Sequence, residues 1–529
     1  MSGRRVLLLG FDAADGDLAL RMIREGRLPT LAGLAARGIA MPMRSTGEHM
    51  PESSWASLIS GCRPGEHGIY SWRIVRPGTL DLARMDQGGW RRPFWSILRE
   101  RAPDPKPRVV VFDVPYAPSL PGEGVTVVGG WGLRVTRQGS SWPPGLFDEL
   151  SARHGSYPGW INRDYDRNPV SERRYRRMLK RLARRRTAIA LDLLGREEWD
   201  CALVNFTEPH FAGHAFFHHV ESAEPGRRRD GLAAPTGMAD VYEETDRNLA
   251  RIVEAAGPTT DVLVFSTIGL RPNECSKDLL GEVMIALGYE VRATPSPRGR
   301  ARRLATTAAT TVMPRVIRHR IRSLIPAGTT ESIADRAWAD AIDWPRSRAV
   351  SEAEPGSSWL RLNLVGREPS GIVDPADRDA LVAEITAELE RLTDPDTGKP
   401  AVAEVVPAAE IAPGSLTEQI PDLLVRWAPG KRLRSVHHPS AGTITDRGGP
   451  YARTEHNGDG FLVAAGPGIS AAGAPEGVVP NEVDIAPTVL QLFGSPVPQD
   501  MQGSVLEWLL AEPGAVEREP IDVASEPVF

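Results

Sequence analysis

Along the chain, short runs of consecutive apolar residues bounded by Gly, Pro or Asp alternate with segments whose apolar residues recur every three to four positions. The first run, RVLLLGF, has the character of a strand buried on both faces. The segment after it, LALRMIREGRLPTLAGLAARG, has a helical period. Runs of the first kind return at PRVVVFDVP, GVTVVGGWG, DCALVNFTEP, DVLVFSTIG, PDLLVRWAP and GFLVAAGPG, most of them separated by helix-period segments. The alternation predicts an α/β fold with a doubly wound, mostly parallel sheet flanked by helices, whose ligands sit beyond the carboxyl ends of the strands. Asp12, Glu208, His210 and the residues after Ser266 fall at such ends.

Two basic stretches interrupt the rhythm. SERRYRRMLKRLARRRTAIALDLL reads as a helix with its arginines mostly on one side, either a solvated face or a surface for an anionic substrate or lipid. SPRGRARRLATTAATTVMPRVIRHRIRSLIPAG reads as an inserted helical segment. The expected division is a first part of the core over 1–275, a helical insertion or cap over 276–340, a second part of the core over 341–515 and a flexible tail over 516–529.

Composition narrows the function classes. The 63 Lys and Arg nearly cancel 68 Asp and Glu, for a net charge of −5, so nothing global points to a nucleic-acid polymer as partner. Cys62, Cys201 and Cys275 lie far apart without CxxC spacing, which suggests neither a disulfide framework nor a cysteine zinc site and fits a reducing, cytoplasmic compartment. The N-terminal apolar run is broken by Gly10 and Asp12, too early for a signal-peptide core, and no run reaches the ~18 apolar residues of a membrane span.

One stretch concentrates chemistry. TEPHFAGHAFFHH, at 207–219, holds four of the eleven histidines. On a helix His210 and His214 share a face and can hold one cation; His218 continues their row and His219 turns away. The same pattern describes a partly buried helix whose imidazoles bond to backbone, and these residues alone leave both readings open.

VLLLGFDAADGDLALRMIREGRLPTLAGLAARG resembles the opening of the type I phosphodiesterase/nucleotide pyrophosphatase family of the alkaline phosphatase superfamily. Further stretches look like family blocks in the family's order, among them WASLISGCRPGEHGIYSW, RPFWSILRE, IDWPRSRAV, LRLNLVGREPSGIV, PDLLVRWAPG, EHNGDGFLVAAGPGI and VDIAPTVLQLFGSPVPQDMQG, so the resemblance runs from residue 5 to about residue 507. It implies hydrolysis of phosphate esters and related oxyacid esters with two divalent metals and a Thr or Ser nucleophile at a helix start. Two such ions stabilise the attacking and leaving oxygens of an in-line displacement.

Carried over residue by residue, the pattern is half kept. Asp12 takes the place of the first-strand metal carboxylate; the alternative is that it caps the helix that follows. The family's Asp-x-x-x-His pair falls on His210 and His214, and its late histidine on His456. Three imidazoles are an ordinary zinc shell with a fourth position open. Where the family has Ser-Asp-His-Gly this chain has Ser266, Thr267, Ile268 and Gly269, so the second ion is expected to be lost. Pro51 falls on the nucleophile. Ser53 and Ser54 could replace it across a gap, or simply cap a helix. Glu208 is the nearest replacement carboxylate, or a partner that orients an imidazole. Arg271 and Asn273 are candidates for a substrate oxyanion, and His67 is expected to be structural, in a tight Pro/Gly turn.

Three readings follow. The chain is a divergent hydrolase of a small-molecule phosphate, sulfate or phosphonate ester with one zinc-like ion and Asp12, Ser53, Ser54 and Glu208 as catalytic candidates. Or it is an inactive relative that keeps the cleft for binding, or a transferase or lyase that reuses it.

Overall fold

The computed structural model describes residues 3–76, 78–80, 82–84, 91–118, 121–132, 139–157, 169–217, 237–276, 278–294, 338–352, 358–430, 432–446 and 454–520. Most of the expected helical insertion, the end of the tail, and His218 and His219 lie outside these residues.

The main sheet is built from β1 (Arg5–Phe11), β2 (Ile39–Arg44), β3 (Val109–Phe112), β4 (Val125–Gly129), β5 (Ser140–Trp142), β6 (Cys201–Phe206) and β7 (Thr260–Ser266), completed late in the chain as described below. After β7 come a short strand β8 (Gly269–Pro272), then β9 (Ala349–Glu352), β10 (Trp359–Leu362), β11 (Val402–Pro407) and β12 (Leu423–Trp427). β13 (Thr454–Asn457) and β14 (Asp459–Ala465) follow. The eight-stranded order is β2-β14-β7-β1-β6-β3-β4-β5. β7, β1, β6, β3 and β4 are mutually parallel, while β14 runs antiparallel to β7 and β5 antiparallel to β4. Every residue of β6 and of β7 is buried, as expected of parallel strands covered on both faces.

Helices cover both faces. On one side α1 (Gly16–Arg24), the long basic α3 (Pro169–Arg196), α4 (Glu208–Phe216) and α5 (Gly237–Ala256) pack over Leu7, Leu9, Val204 and Val264. On the other, α2 (Ser54–Ser60) and the helix Ile485–Leu492 cover Val6, Leu8, Leu203 and Leu263.

The apolar run PDLLVRWAP, which has the character of a main-sheet strand, becomes β12 in a separate antiparallel sheet of order β9-β10-β12-β11 with its own core. A consecutive apolar run specifies burial and not which sheet accepts it. This second sheet clamps the segment 45–53 against the main one: Trp359 Nε1 donates to the His49 carbonyl at 3.0 Å, and Met50 packs with Tyr70, Trp359 and Leu424.

Candidate metal centre

The carboxyl ends of β1, β6 and β7 meet because their register is parallel and in step: Phe11 pairs with Phe206, and Gly10 with Phe265. Beyond β1 the chain turns through Ala13, a non-glycine residue at φ 46°, and the turn is held by the Ala14 amide donating to Ser266 Oγ at 2.9 Å. The helix after it is capped by Asp15, whose side chain accepts from the Leu18 amide, so Asp12 does not cap it. Gly10 is required beneath this corner, since a Cβ there would lie 2.6 Å from both Asn205 Oδ1 and the Trp55 ring. Trp55 can therefore lie over β1 and donate from Nε1 to Asp12 Oδ1 at 2.8 Å.

The other oxygen of Asp12 accepts from His210 Nδ1 at 3.0 Å. Although expected among the metal ligands, Asp12 thus stands behind an imidazole, with both oxygens taken by protein donors. Burial would raise its carboxyl, but the charge and hydrogen bond of His210, with the Trp55 hydrogen bond, hold it below the ordinary carboxylate range.

α4 begins directly after β6 with Pro209 in its first turn, and the i, i+4 spacing puts His210 and His214 on one face. Opposite them, β8 and β13 form a two-stranded ribbon in which Leu270 pairs with His456 and Arg271 with Glu455. Gly213 lets α4 approach this ribbon: a Cβ there would meet Leu270 Cδ1 at 1.9 Å. His456 thereby joins the pair from some 240 residues away, and the three rings lie 4.8–4.9 Å apart by centroid. Among the described residues these three form the one group of His, Cys, Asp or Glu whose ligand atoms, all within 4.8 Å of one another, could hold a metal ion.

Each imidazole is held at Nδ1. His210 bonds to Asp12, His214 to Thr454 Oγ1 at 2.8 Å, and His456 to the Gly269 carbonyl at 3.1 Å. A carboxylate and a carbonyl can only accept, so His210 and His456 carry their proton on Nδ1, and the Thr454 hydroxyl can take the proton of His214 in the same way. Nε2 is then the free nitrogen of each ring. His210 Nε2 and His214 Nε2 lie 3.0 Å apart, where two lone pairs repel unless a proton or a cation sits between them. Burial, reinforced by His456 and His210, pushes His214 well below its ordinary pKa; burial, reinforced by His210, brings His456 down to about 3. A neutral imidazole with an outer hydrogen bond is the form that ligates zinc, and the donor set fits such an ion.

The position that the resemblance assigns to a second ion has a different character. Thr267 Oγ1 donates to Ser54 Oγ at 3.0 Å, and Ile268, also buried, packs its hydrocarbon against Gly47. Asp12 is engaged by Trp55 and His210, and among the described residues no group of three His, Cys, Asp or Glu side chains converges there.

The remaining candidates are dispersed. Ser53 is fully buried; its hydroxyl donates to the Met50 carbonyl at 2.7 Å and lies 3.2 Å from Thr46 Oγ1. Ser54, equally buried, faces Thr267. Glu208, adjacent in sequence to the histidine pair, turns its carboxylate inward to Arg186 Nε at 3.0 and 3.2 Å, with both side chains fully buried. Arg271 is gripped by Glu48 at 2.7 Å and Glu455 at 2.8 Å, on the ribbon face opposite His456, because side chains alternate along a strand. Asn273 Oδ1 accepts from the Cys275 amide at 3.2 Å. His67 bonds to Ser57 Oγ through Nε2 and accepts from the Ile69 amide through Nδ1. Trp55 and Thr454 are site residues that motif matching passes over. Thr454 was accessible, since residues two apart on a strand share a face with each other.

Comparison with known proteins agrees with this architecture. No curated protein matches the sequence. Among solved structures, wild-type alkaline phosphatase PafA is similar over 97% of this chain and 100% of its own, at 12% identity and a TM-score of 0.52. Phosphonoacetate hydrolase from Sinorhizobium meliloti aligns with 93% of this chain and 95% of its own at 13% identity, TM-score 0.47. Murine ectonucleotide pyrophosphatase/phosphodiesterase 5 aligns with 96% and 100% at 11% identity, TM-score 0.47. The sequence itself matches the profile of type I phosphodiesterase / nucleotide pyrophosphatase over residues 6–449, most of its length. The chain belongs to that family of phosphoric ester hydrolases.

Proposed function

We propose that the chain is a metal-dependent hydrolase of a small-molecule phosphate ester, or of a related sulfate or phosphonate ester, with one divalent cation held by His210, His214 and His456. The observation that carries this reading is the convergence of one ring nitrogen from each of three imidazoles, all within 4.8 Å of one another, on rings that are each anchored at Nδ1. A zinc-like ion bound there would supply Lewis-acid polarisation of an ester oxygen and acidify a water near neutral pH.

The protein's own groups do the positioning. Asp12 fixes the tautomer and ring plane of His210, the Gly269 carbonyl does so for His456, and the Thr454 hydroxyl, which can donate or accept, holds the ring plane of His214. The depressed pKa values of His214 and His456 keep their lone pairs available at neutral pH. Position 51 is a proline, and the hydroxyls of Ser53 and Ser54 are buried and already bonded, so in this reading water attacks and no seryl intermediate forms. Three free, buried cysteines support a cytoplasmic setting. Among the described residues no helix is long and apolar enough to cross a membrane.

The test is turnover of aryl phosphate, phosphonate and sulfate esters by zinc-reconstituted protein. Bound metal and turnover are expected to disappear together in His214→Ala. Wild-type protein that hydrolyses none of these esters with metal supplied would favour the non-catalytic relative.

A further inference from the structure

The three imidazoles do not have equal outer partners. His214 is held by a hydroxyl and His456 by a backbone carbonyl, both neutral, whereas His210 faces the carboxylate of Asp12. An anion behind the ring makes His210 the strongest electron donor of the three, as long as that carboxylate stays ionised and stays turned toward Nδ1. Neither condition is automatic in a buried acid. Asp12 is 2% exposed, and a carboxylate oxygen left without a donor there would favour protonation or rotation.

Trp55 meets both conditions. It is the second residue of α2, 3% exposed, and its Nε1 donates to Oδ1 of Asp12 at 2.8 Å while Oδ2 accepts from His210 Nδ1 at 3.0 Å. The indole itself has little room to move. It packs against Phe265 with ring centroids 5.8 Å apart, and a Cβ on Gly10 beneath it would lie 2.6 Å from the ring. An indole N–H can only donate, so it favours the ionised carboxylate, and a fixed donor on one oxygen fixes where the other points.

We infer that Trp55 is a positioning residue of the three-histidine site that acts through Asp12: its indole N–H holds the carboxylate as an anion turned toward His210, and so sets the tautomer and donor strength of that ligand. The inference rests on the metal reading of the site proposed above.

The experiment is a double-mutant cycle in zinc affinity, read on metal-free protein in competition with a chromophoric chelator, for wild type, Trp55→Phe, Asp12→Asn and the double variant. Trp55→Phe keeps a ring in the core and loses the N–H, and is expected to weaken zinc binding about 10-fold, the lower end for an outer partner of a ligand. In the Asp12→Asn background that loss should vanish, because there the indole pins the amide oxygen and leaves the amide nitrogen facing Nδ1 of His210. Trp95→Phe is the packing control. Trp95 is buried in the same apolar cluster, and its Nε1 has no hydrogen-bond partner among the described residues, so zinc affinity should be unchanged in this variant. Wild type alone supplies a further readout: with isotope-labelled tryptophan, the Trp55 indole N–H resonance should keep its position and its slow solvent exchange when zinc is added. Loss of that signal on loading, wild-type or tighter affinity in Trp55→Phe, an equal loss in Trp95→Phe, or a Trp55→Phe loss undiminished in the Asp12→Asn background would each overturn the inference and leave the metal reading standing. Absence of zinc binding by wild type would overturn both.

Discussion

Two imidazole nitrogens 3.0 Å apart, each on a ring whose other nitrogen is engaged, pose an electrostatic problem that a cation solves. The serines nearby have no such unmet demand. Ser53→Ala and Ser54→Ala should each cost about 1 kcal/mol of stability for a lost hydrogen bond and keep most of the turnover, measured as kcat/KM on an aryl phosphate ester. Loss of turnover in either, with a trapped phosphoserine in wild type, would restore the two-step mechanism. His67 makes a separate, pH-dependent prediction. Burial, reinforced by Arg91, lowers its pKa to about 3, against roughly 6.5 for an unfolded histidine. Between those values the unfolded chain binds a proton that the folded chain refuses, so its contribution is full above pH ~6.5 and is lost progressively as pH falls toward ~3. The melting temperature should decline over that window, with a shallower slope in His67→Gln. The spacing of His210 and His214 was legible because helical periodicity is local. The role of Asp12 was less so, because whether a carboxylate meets an ion or an imidazole depends on Trp55 and His210, which arrive from other elements.

The long helix α3 was legible as a helix, but its basic character reads as solvation. One of its arginines, Arg186, is fully buried: it bonds to Asp113 at 2.5 Å, to Glu208 and to the Thr207 hydroxyl, and its guanidinium stacks near Trp131 and Phe112. This cluster anchors the first turn of α4, two residues before His210. Nothing in the sequence distinguishes Arg186 from its exposed neighbours, because the acids that bury it lie on other elements. That is also why Glu208, next to the histidines in sequence, reads as a site residue. Arg186→Met strands two buried carboxylates and should cost about 3–5 kcal/mol, read as a shift in the urea midpoint. The apolar run of β12 shows the same limit for strands, since pairing partners decide which sheet it joins.

At the scale of the molecule, strand–helix alternation was enough to foresee the mostly parallel sheet, because strands buried on both faces need continuous apolar runs. The second sheet was not foreseen, yet it fixes the segment 45–53 against the main sheet through Trp359 and Met50. Where the family resemblance implies two ions, the described residues present one converging set of histidine side chains, with the Ile268 hydrocarbon and the Thr267–Ser54 hydrogen bond at the other position. The central claim is therefore one of stoichiometry, and it is tested most directly by adding zinc stepwise to chelator-stripped protein while bound metal and ester turnover are read on the same samples. The account predicts that both saturate at one equivalent per chain. Saturation at two equivalents, or turnover that persists in the stripped protein, would contradict it.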